Sequence, residues 1–584
     1  MRFSLRTGCK THFDHDYIDQ LIAAIGEAGN CFDEVWLATS YGVPSLSRCK
    51  KEAEDMAWAA ERFRKAGISA SMQLSRTVGH SAGALVTYGG EGVRSDFGLV
   101  TSIDGASANG IFCWNSPAFR AYVYEQMKIY AAFGPEIVWV DDDIRLRLLG
   151  RSQALCFCDE CIRLFNERYG YRYDRIGLKN DFLNDLSVRE KYIQFQTDTL
   201  ADFAGVISEA IHEVSPDTIM ALQNGGNTML AINAQRACLD KMYEVTGKAP
   251  AFRAGGGFYN DHQPKDMFVK AMIVNYMNAR LPEYVKARSC EIENLPFTAY
   301  GKSPECTCIE AAVYMAYGCN EASVTLMRDY EPLEWHMRMF RKITQYRPFF
   351  EAYEKHNAGT VNGGIVVYQP IRSNYIVPNQ DGYPFWNDTC IWEIADKLRW
   401  GIPFSTSVKG NAYYLTAKAF DFLNEEDMEF LADKTVIAEP GFLQKIQASK
   451  YAKSFADIKC VTCERFSDAF NGVDISYEHR EALRSAIDRT ADKPLPAYVA
   501  SPEQMMIVPR VNEKEETVSV FLLNVSMTDT EAYEVVIANP ANTEQVTLID
   551  PYRETVCLPL EKRGDSYVVK LPELRSWRAA AILV

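Results

Sequence analysis

The chain has 584 residues, of which 24% are charged, and its formal net charge is −15. This length exceeds what one hydrophobic core supports and indicates roughly three or four domains. The acidic balance disfavours nucleic acid and anionic membranes as partners, because both attract basic surfaces. The N-terminus lacks the apolar core of a signal peptide, and no apolar run is long enough to span a membrane. Together with 16 cysteines that favour reduced thiols, this leads us to expect a cytoplasmic protein.

Short apolar runs alternate with amphipathic helical patterns over residues 1–355. Eight βα units of this kind predict a (β/α)₈ barrel. A doubly wound sheet is the alternative, but Gly255–Gly257 has the wrong spacing for a dinucleotide fingerprint. The predicted strands are Arg2–Arg6, Glu34–Ala38, Ile68–Leu74, Ile137–Asp143, Thr218–Gln223, Ala249–Ala254, Val285–Glu293 and Glu321–Met327.

Two smaller segments follow the predicted barrel. Residues 356–495 mix short buried strands with helices, for example Ile365–Tyr368 and Ile391–Trp400, and indicate an α/β domain of a flavodoxin-like or glutaminase-like kind. Prolines around residue 496 mark a linker. Residues 496–584 contain short alternating strands such as Val518–Val525, which predict a small antiparallel β-sandwich.

The strongest local signal is Cys156-Phe-Cys158-Asp-Glu-Cys161. Three thiols within six residues suit one tetrahedral Zn²⁺, and the fourth ligand must come from elsewhere in the chain. Cys113 fits this role, since it lies in the loop after the third strand, beside the loop that carries the other three. Buried cysteines without a metal are the alternative. We predict a structural Cys₄ zinc site with Zn–S distances of about 2.3 Å.

Carboxylates end two of the predicted barrel strands, where barrel active sites lie. Asp141 and Asp143 alternate onto one face of the fourth strand's end, and Glu291 and Glu293 onto one face of the seventh's. A retaining glycosidase needs two such groups, one acid/base and one nucleophile. Clustered carboxylates also bind divalent cations, so a metal-dependent hydrolase that uses Asp141–Asp143 is an alternative.

These motifs resemble those of family 42 β-galactosidases. That family has a Cys-x-Asn-Ser-Pro segment, a fourth strand that ends in Asp-Asn-Glu, and a Cys-x-Cys-x-x-Cys cluster, and Cys113–Pro117, Asp141–Asp143 and Cys156–Cys161 follow in this order. Its Met-Glu-x-x-Pro on the seventh strand resembles Ile292–Pro296, and its later Phe-His pair resembles Trp335-His336.

The resemblance implies a retaining exo-β-glycosidase that acts on oligosaccharides or other glycosides. It assigns Glu293 as the nucleophile and Asp143 as the acid/base, with Asp142 in place of the Asn that binds the 2-hydroxyl. It also implies a homotrimer through residues 363–490. The remaining substrate-binding candidates are Asp141, Glu291, His12, Trp335 and His336.

Four positions depart from the family pattern. Asp143 replaces a Glu, and Gly110, Gly301 and Leu333 replace an Arg, a Trp and a Glu that contact the sugar. A preference for galactose is therefore not implied. The family 164 β-mannosidases, which share the three-part layout, become a second resemblance, and a carbohydrate-binding relative without activity is a further alternative.

Overall fold

The computed structural model describes residues 1–80, 82–146, 155–225, 229–370, 397–462 and 477–584. Eight parallel strands close into a barrel, with the eighth strand hydrogen-bonded to the first. The strands are β1 (Arg2–Arg6), β2 (Glu34–Ala38), β3 (Ser69–Gln73), β4 (Ile137–Val140), β5 (Ile219–Asn224), β6 (Ala251–Ala254), β7 (Arg288–Glu293) and β8 (Glu321–Thr325). The predicted barrel is confirmed, although the bounds of several strands differ from the predicted ones by one to three residues. The fourth strand ends at Val140, so that Asp141–Asp143 lie in the loop beyond it.

Helices follow the strands and cover the outside of the barrel. Several begin at a side chain that caps the first turn: Asp14 accepts the N–H of Tyr17, and Ser303 accepts that of Cys306. The helices are α1 (His15–Glu27), α2 (Leu46–Lys65), α3 (Ala82–Tyr88), α4 (Pro117–Ala131), α5 (Asp159–Tyr169), α6 (Arg175–Asn184), α7 (Leu186–Val214), α8 (Met229–Thr246), α9 (Lys265–Asn278), α10 (Pro304–Ala316) and α11 (Met337–His356).

Aromatic side chains fill the barrel interior. Trp36 of β2 and Trp139 of β4 stack with ring centroids 4.1 Å apart, and Ile137, Ala221 and Ala251 pack around them. Because this layer is solid, the barrel is a packed core and not a pore, and ligands can reach only its ends.

The remaining described chain forms one parallel sheet, two antiparallel sheets of six and four strands, and a two-stranded hairpin of Leu99–Thr101 with Ser107–Phe112 between β3 and α4. The parallel sheet has the strand order Phe404–Ser405, Ile365–Val367, Ala412–Leu415, Thr435–Ala438 and Lys459–Thr462. The larger antiparallel sheet has the order Val361–Asn362, Met505–Val511, Thr517–Asn524, Ala579–Leu583, Gln545–Asp550 and Arg553–Pro559. The smaller has the order Ala497–Val499, Tyr533–Ala538, Ser566–Leu571 and Glu561–Arg563. Helices Glu425–Leu431, Pro440–Gln447, Ala452–Ala456 and Tyr477–Thr490 complete this part.

The two antiparallel sheets share a core in which Val520 and Leu522 of the larger pack with Val535 and Val569 of the smaller, as a β-sandwich requires. The predicted fold class is confirmed. The strand Val361–Asn362 joins the sandwich, although it precedes the parallel sheet in the chain. Most of the predicted helix Ile391–Trp400 lies outside the described residues. None of the described helices is long and apolar enough to cross a membrane.

Candidate active site at the mouth of the barrel

Two glutamates at the end of β7 face arginines from neighbouring strands. Arg6, the last residue of β1, places Nη1 2.7 Å from Oε1 of Glu293 and 3.5 Å from Oε1 of Glu291. Its Nε donates to Oε1 of Gln73 at 2.9 Å, which fixes the guanidinium between β1 and β3. Glu293 is the more accessible of the two glutamates, with 15% of its side chain exposed against 8% for Glu291. Glu293 is therefore a positioned carboxylate with a face open to a ligand.

Arg253 of β6 is the second guanidinium in this network. It pairs with Glu291 and is fully buried. Burial and the neighbouring charge of Arg6 lower the pKa of Arg253 to about 10, against the opposing effect of Asp142 and Glu293. Arg253 is thus a cation at neutral pH, and its buried charge links the carboxylates of β7 to those that follow β4.

Two of the three aspartates after β4 reach the mouth of the barrel. Asp141 Oδ2 lies 2.5 Å from His80 Nε2, and 7% of the Asp141 side chain is exposed. Asp142 is 22% exposed and lies 3.7 Å from Nη1 of Arg145. Burial opposes ionisation of Asp142, but Arg145 and Arg253 outweigh it, so the pKa of this carboxyl group is lowered. Asp142 is therefore ionised at neutral pH.

Asp143 has a different environment. Its side chain is fully buried, and Oδ2 accepts the backbone N–H groups of Thr77 at 2.8 Å and of Gly79 at 2.6 Å. Oδ1 has no hydrogen-bond partner among the described residues. Burial, with the charge of Asp141, raises the pKa of Asp143. The residue assigned as acid/base by the resemblance thus contacts the loop after β3 and has no exposed surface.

Three further predicted site residues lie in two different places. His12 is fully buried, with Nε2 3.6 Å from Oε1 of Glu52 on α2, so it presents no surface to a ligand. His336 is also buried, 2.7 Å from Glu331 Oε2, whereas Trp335 is 56% exposed. These last two line a cleft of about 330 Å³ beside the end of β7, together with Asn294, Thr298, Tyr300 and Arg338.

The four predicted zinc ligands converge between the loops that follow β3 and β4. The Sγ atom of Cys113 lies 3.5 Å from those of Cys161 and Cys156 and 3.6 Å from that of Cys158. Four sulfurs on a tetrahedron with Zn–S of about 2.3 Å lie roughly 3.8 Å apart, so the donor set fits zinc closely. Asn115 donates N–H groups to the sulfurs of Cys113 and Cys161, which helps to orient these two side chains toward a shared centre.

Sequence reasoning missed Arg6, Gln73 and Arg253, and it indicated His80 only as one of four loop histidines that could line the site. The first two are the last residues of their strands, and Arg253 is the second-last of β6. A polar residue at the C-terminal end of a barrel strand was thus a usable signal. His80 carried a weaker one, because a loop histidine has no fixed orientation until its neighbours are known.

Comparisons with known proteins bear on the fold of the chain. No family model and no curated protein matches the chain. Among solved structures, a β-galactosidase from Rahnella sp. R3 aligns with a TM-score of 0.60 at 12% identity and covers 98% of each chain. A family GH42 β-galactosidase from G. stearothermophilus aligns with a TM-score of 0.60 at 11% identity, over 99% of this chain and 98% of the other. A β-galactosidase from Halorubrum lacusprofundi aligns with a TM-score of 0.57 at 13% identity, over 100% of this chain and 99% of the other. Over its full length, the chain therefore has the fold of family 42 β-galactosidases.

Proposed function

We propose that this protein is a retaining exo-β-glycosidase that hydrolyses terminal β-galactosides or β-mannosides, with Glu293 as the nucleophile. The observation that carries the proposal is the placement of Glu293 at the C-terminal end of β7, partly exposed and held 2.7 Å from Arg6. This is the end of the barrel at which the active sites of such folds lie.

Arg6 orients Glu293 through a charge-assisted hydrogen bond, and its own position is fixed because its guanidinium also donates to Gln73. The carboxylate attacks the anomeric carbon and forms a covalent glycosyl–enzyme, which water then hydrolyses. The proton for the leaving group must come from the opposite side of the glycosidic bond. The resemblance gives this role to Asp143, and retention requires the two carboxyl groups about 5–5.5 Å apart.

The cleft beside β7 supports a sugar-binding role. Exposed Trp335 offers an apolar ring face to a pyranose, and His336 and Asn294 offer polar groups in the same cleft. Three contacts that the resembling family makes to galactose are absent here, because Gly110, Gly301 and Leu333 stand at those positions. The test of the proposal must therefore also decide between a galactoside and a mannoside.

The cofactor and assembly proposals accompany this one. Cys113, Cys156, Cys158 and Cys161 would hold a structural zinc that fixes the loop after β4 near Asp141. The homotrimer remains a proposal that rests on the resemblance of residues 363–490 alone.

The metal-dependent alternative has one observation to consider. His80, Asp141 and Asp142 bring three potential ligand atoms within 4.8 Å of one another. The 2.5 Å contact of His80 with Asp141 has the distance of a hydrogen-bonded ion pair, whereas Glu293 and the barrel fold match what a glycosidase needs. The glycosidase is therefore the better-supported proposal.

The test is a screen of 4-nitrophenyl glycosides, followed by trapping with the matching 2-deoxy-2-fluoro glycoside. We expect turnover of a β-galactoside or β-mannoside, and a trapped sugar on the peptide that contains Glu293. Glu293→Gln should abolish turnover, while Glu351→Gln, a matched change on the exposed surface of α11, should leave it unchanged. Binding of glycosides without hydrolysis would instead favour the non-catalytic alternative.

A further inference from the structure

We infer that His80, paired with Asp141, donates the proton to the leaving group and later accepts one from water, and that Asp143 positions the loop that carries His80. The inference rests on the proposed glycosidase function and assigns its acid/base residue.

The ion pair has a defined geometry at the mouth of the barrel. His80 follows β3, and its Nε2 lies 2.5 Å from Asp141 Oδ2. Its ring lies nearly parallel to that of Tyr41, with centroids 5.5 Å apart and planes 19° apart. About a quarter of the His80 side chain is exposed, and the hydrogen bond that its ring makes to a described residue is that of Nε2 to Asp141. Asp141 thus fixes one nitrogen, which leaves the other for a ligand.

Asp143 fixes the backbone just before His80. Its buried Oδ2 accepts N–H groups from Thr77 and Gly79, three residues and one residue before the histidine. The loop is also tightly packed, since a Cβ added at Gly79 would lie 2.3 Å from the backbone oxygen of Gly110. The position that holds the acid/base carboxyl group in the resembling family thus orients the loop in this chain.

The charges around His80 favour its cationic form. Burial acts to lower its pKa, but Asp141, Asp143 and Asp142 outweigh burial and raise the pKa to about 9. Tyr41, on the other side, is neutral because burial and the same aspartates raise its pKa. The imidazolium is therefore the form present at neutral pH, and it is the form that a general acid needs.

The neighbouring carboxyl groups are worse donors. Asp142 is accessible, but its pKa is lowered by Arg145 and Arg253 against the effect of burial, so it carries no proton at neutral pH. Asp143 has a raised pKa but no exposed atom and two backbone donors on Oδ2. His80 is the group in this cluster that combines a proton with access to the mouth.

The two chemical steps balance with these groups. In the first, Glu293 forms a bond to the anomeric carbon, the glycosidic C–O bond breaks, and Nδ1–H of His80 protonates the departing oxygen. In the second, neutral His80 takes a proton from water, the water oxygen bonds to the anomeric carbon, and the bond to Glu293 breaks. The imidazolium and the carboxylate are thereby restored.

The decisive variant is His80→Gln, compared with wild type on glycosides with good and poor leaving groups. We expect kcat/KM to fall by about 10²–10⁴-fold on alkyl glycosides, which need protonation, and far less on 2,4-dinitrophenyl glycosides. Azide should restore turnover of the activated substrate and yield a glycosyl azide. His15→Gln is the matched control, since His15 forms an exposed pair with Asp55 at 3.3 Å and should behave as wild type.

The pH profile supplies a readout that loss of folding would not mimic. As pH rises, wild-type kcat/KM on alkyl glycosides should fall near pH 9, where the imidazolium of His80 loses its proton. The His80→Gln variant should lack this alkaline fall. Asp141→Asn should move the fall to lower pH, because the imidazolium loses its closest counter-charge. Circular dichroism and thermal melting establish that each variant is folded.

Three outcomes would overturn the assignment. One is leaving-group dependence and azide rescue in Asp143→Asn or Asp142→Asn, with His80→Gln like wild type. Another is that a chelator abolishes turnover and Mg²⁺ restores it, which would make His80, Asp141 and Asp142 a cation site. The third is a wild type that hydrolyses no glycoside, which would remove the proposed function as well, whereas the first two leave Glu293 as nucleophile.

Discussion

Replacement of Glu310 by Gln is expected to destabilise the barrel strongly, because Glu310 neutralises two buried lysines. Its Oε1 lies 3.0 Å from Nζ of Lys270 on α9, and its Oε2 lies 2.5 Å from Nζ of Lys302. All three side chains are at most 1% exposed. Lys270 also donates to the backbone oxygen of Glu291 at 2.6 Å, and Lys302 to that of Phe258 at 2.9 Å.

The magnitude follows from which charges each variant leaves behind. Glu310→Gln leaves two cations without an anion in a buried site, which costs about 3–5 kcal/mol. Lys302→Met leaves the ion pair of Lys270 and Glu310, which has no net charge, and removes the hydrogen bonds of Lys302. The expected loss of stability is about 1–3 kcal/mol. Although each change removes one charge, Glu310→Gln should lower the free energy of unfolding more than Lys302→Met does.

Urea unfolding followed by tryptophan fluorescence gives the ranking, with the midpoint of Glu310→Gln below that of Lys302→Met. The difference in stability between Glu310→Gln and wild type should also become smaller as pH rises toward 10. Burial already lowers the pKa of Lys270 below its unfolded value, so the unfolded chain holds more protons there and stability rises with pH. Equal midpoints, or a lower one for Lys302→Met, would refute the charge argument.

Two further predictions concern metal content and pH. Wild-type protein should contain one zinc per chain by elemental analysis. Cys156→Ser should lose the metal and several kcal/mol of its free energy of unfolding, since structural zinc contributes about 10–16 kcal/mol in small peptides. Cys460→Ser is the control, and retention of zinc in Cys156→Ser would exclude this site. Burial, with Glu34, raises the pKa of Glu321 to about 7, so its neutral form stabilises the fold below about pH 4 and that contribution is lost as pH rises through 7. Glu321→Gln should therefore stabilise the protein at pH 8, by on the order of 3 kcal/mol at most, and not at pH 4; a destabilised variant at pH 8 would contradict this.

The barrel and its catalytic end were predictable from the sequence. The eight apolar runs, β2 with its bounds unchanged, show the period expected of buried parallel strands, and the helices between them begin at capping residues such as Asp14 and Ser303. Such signals are local, because strand propensity and helix capping act within a few residues. The convergence of the four cysteines was also predictable, since metal-ligand spacing and barrel topology fix it together.

What each carboxylate contacts was decided by the tertiary structure alone. Asp141, Asp142 and Asp143 are chemically identical in sequence, yet one pairs with His80, one faces Arg145, and one is buried against the amides of the loop after β3. The strand ends one residue before them, so the alternation of side chains along a strand no longer determines where each points. Their protonation depends on burial and on charges brought from distant parts of the chain, and neither is encoded within a few residues of sequence.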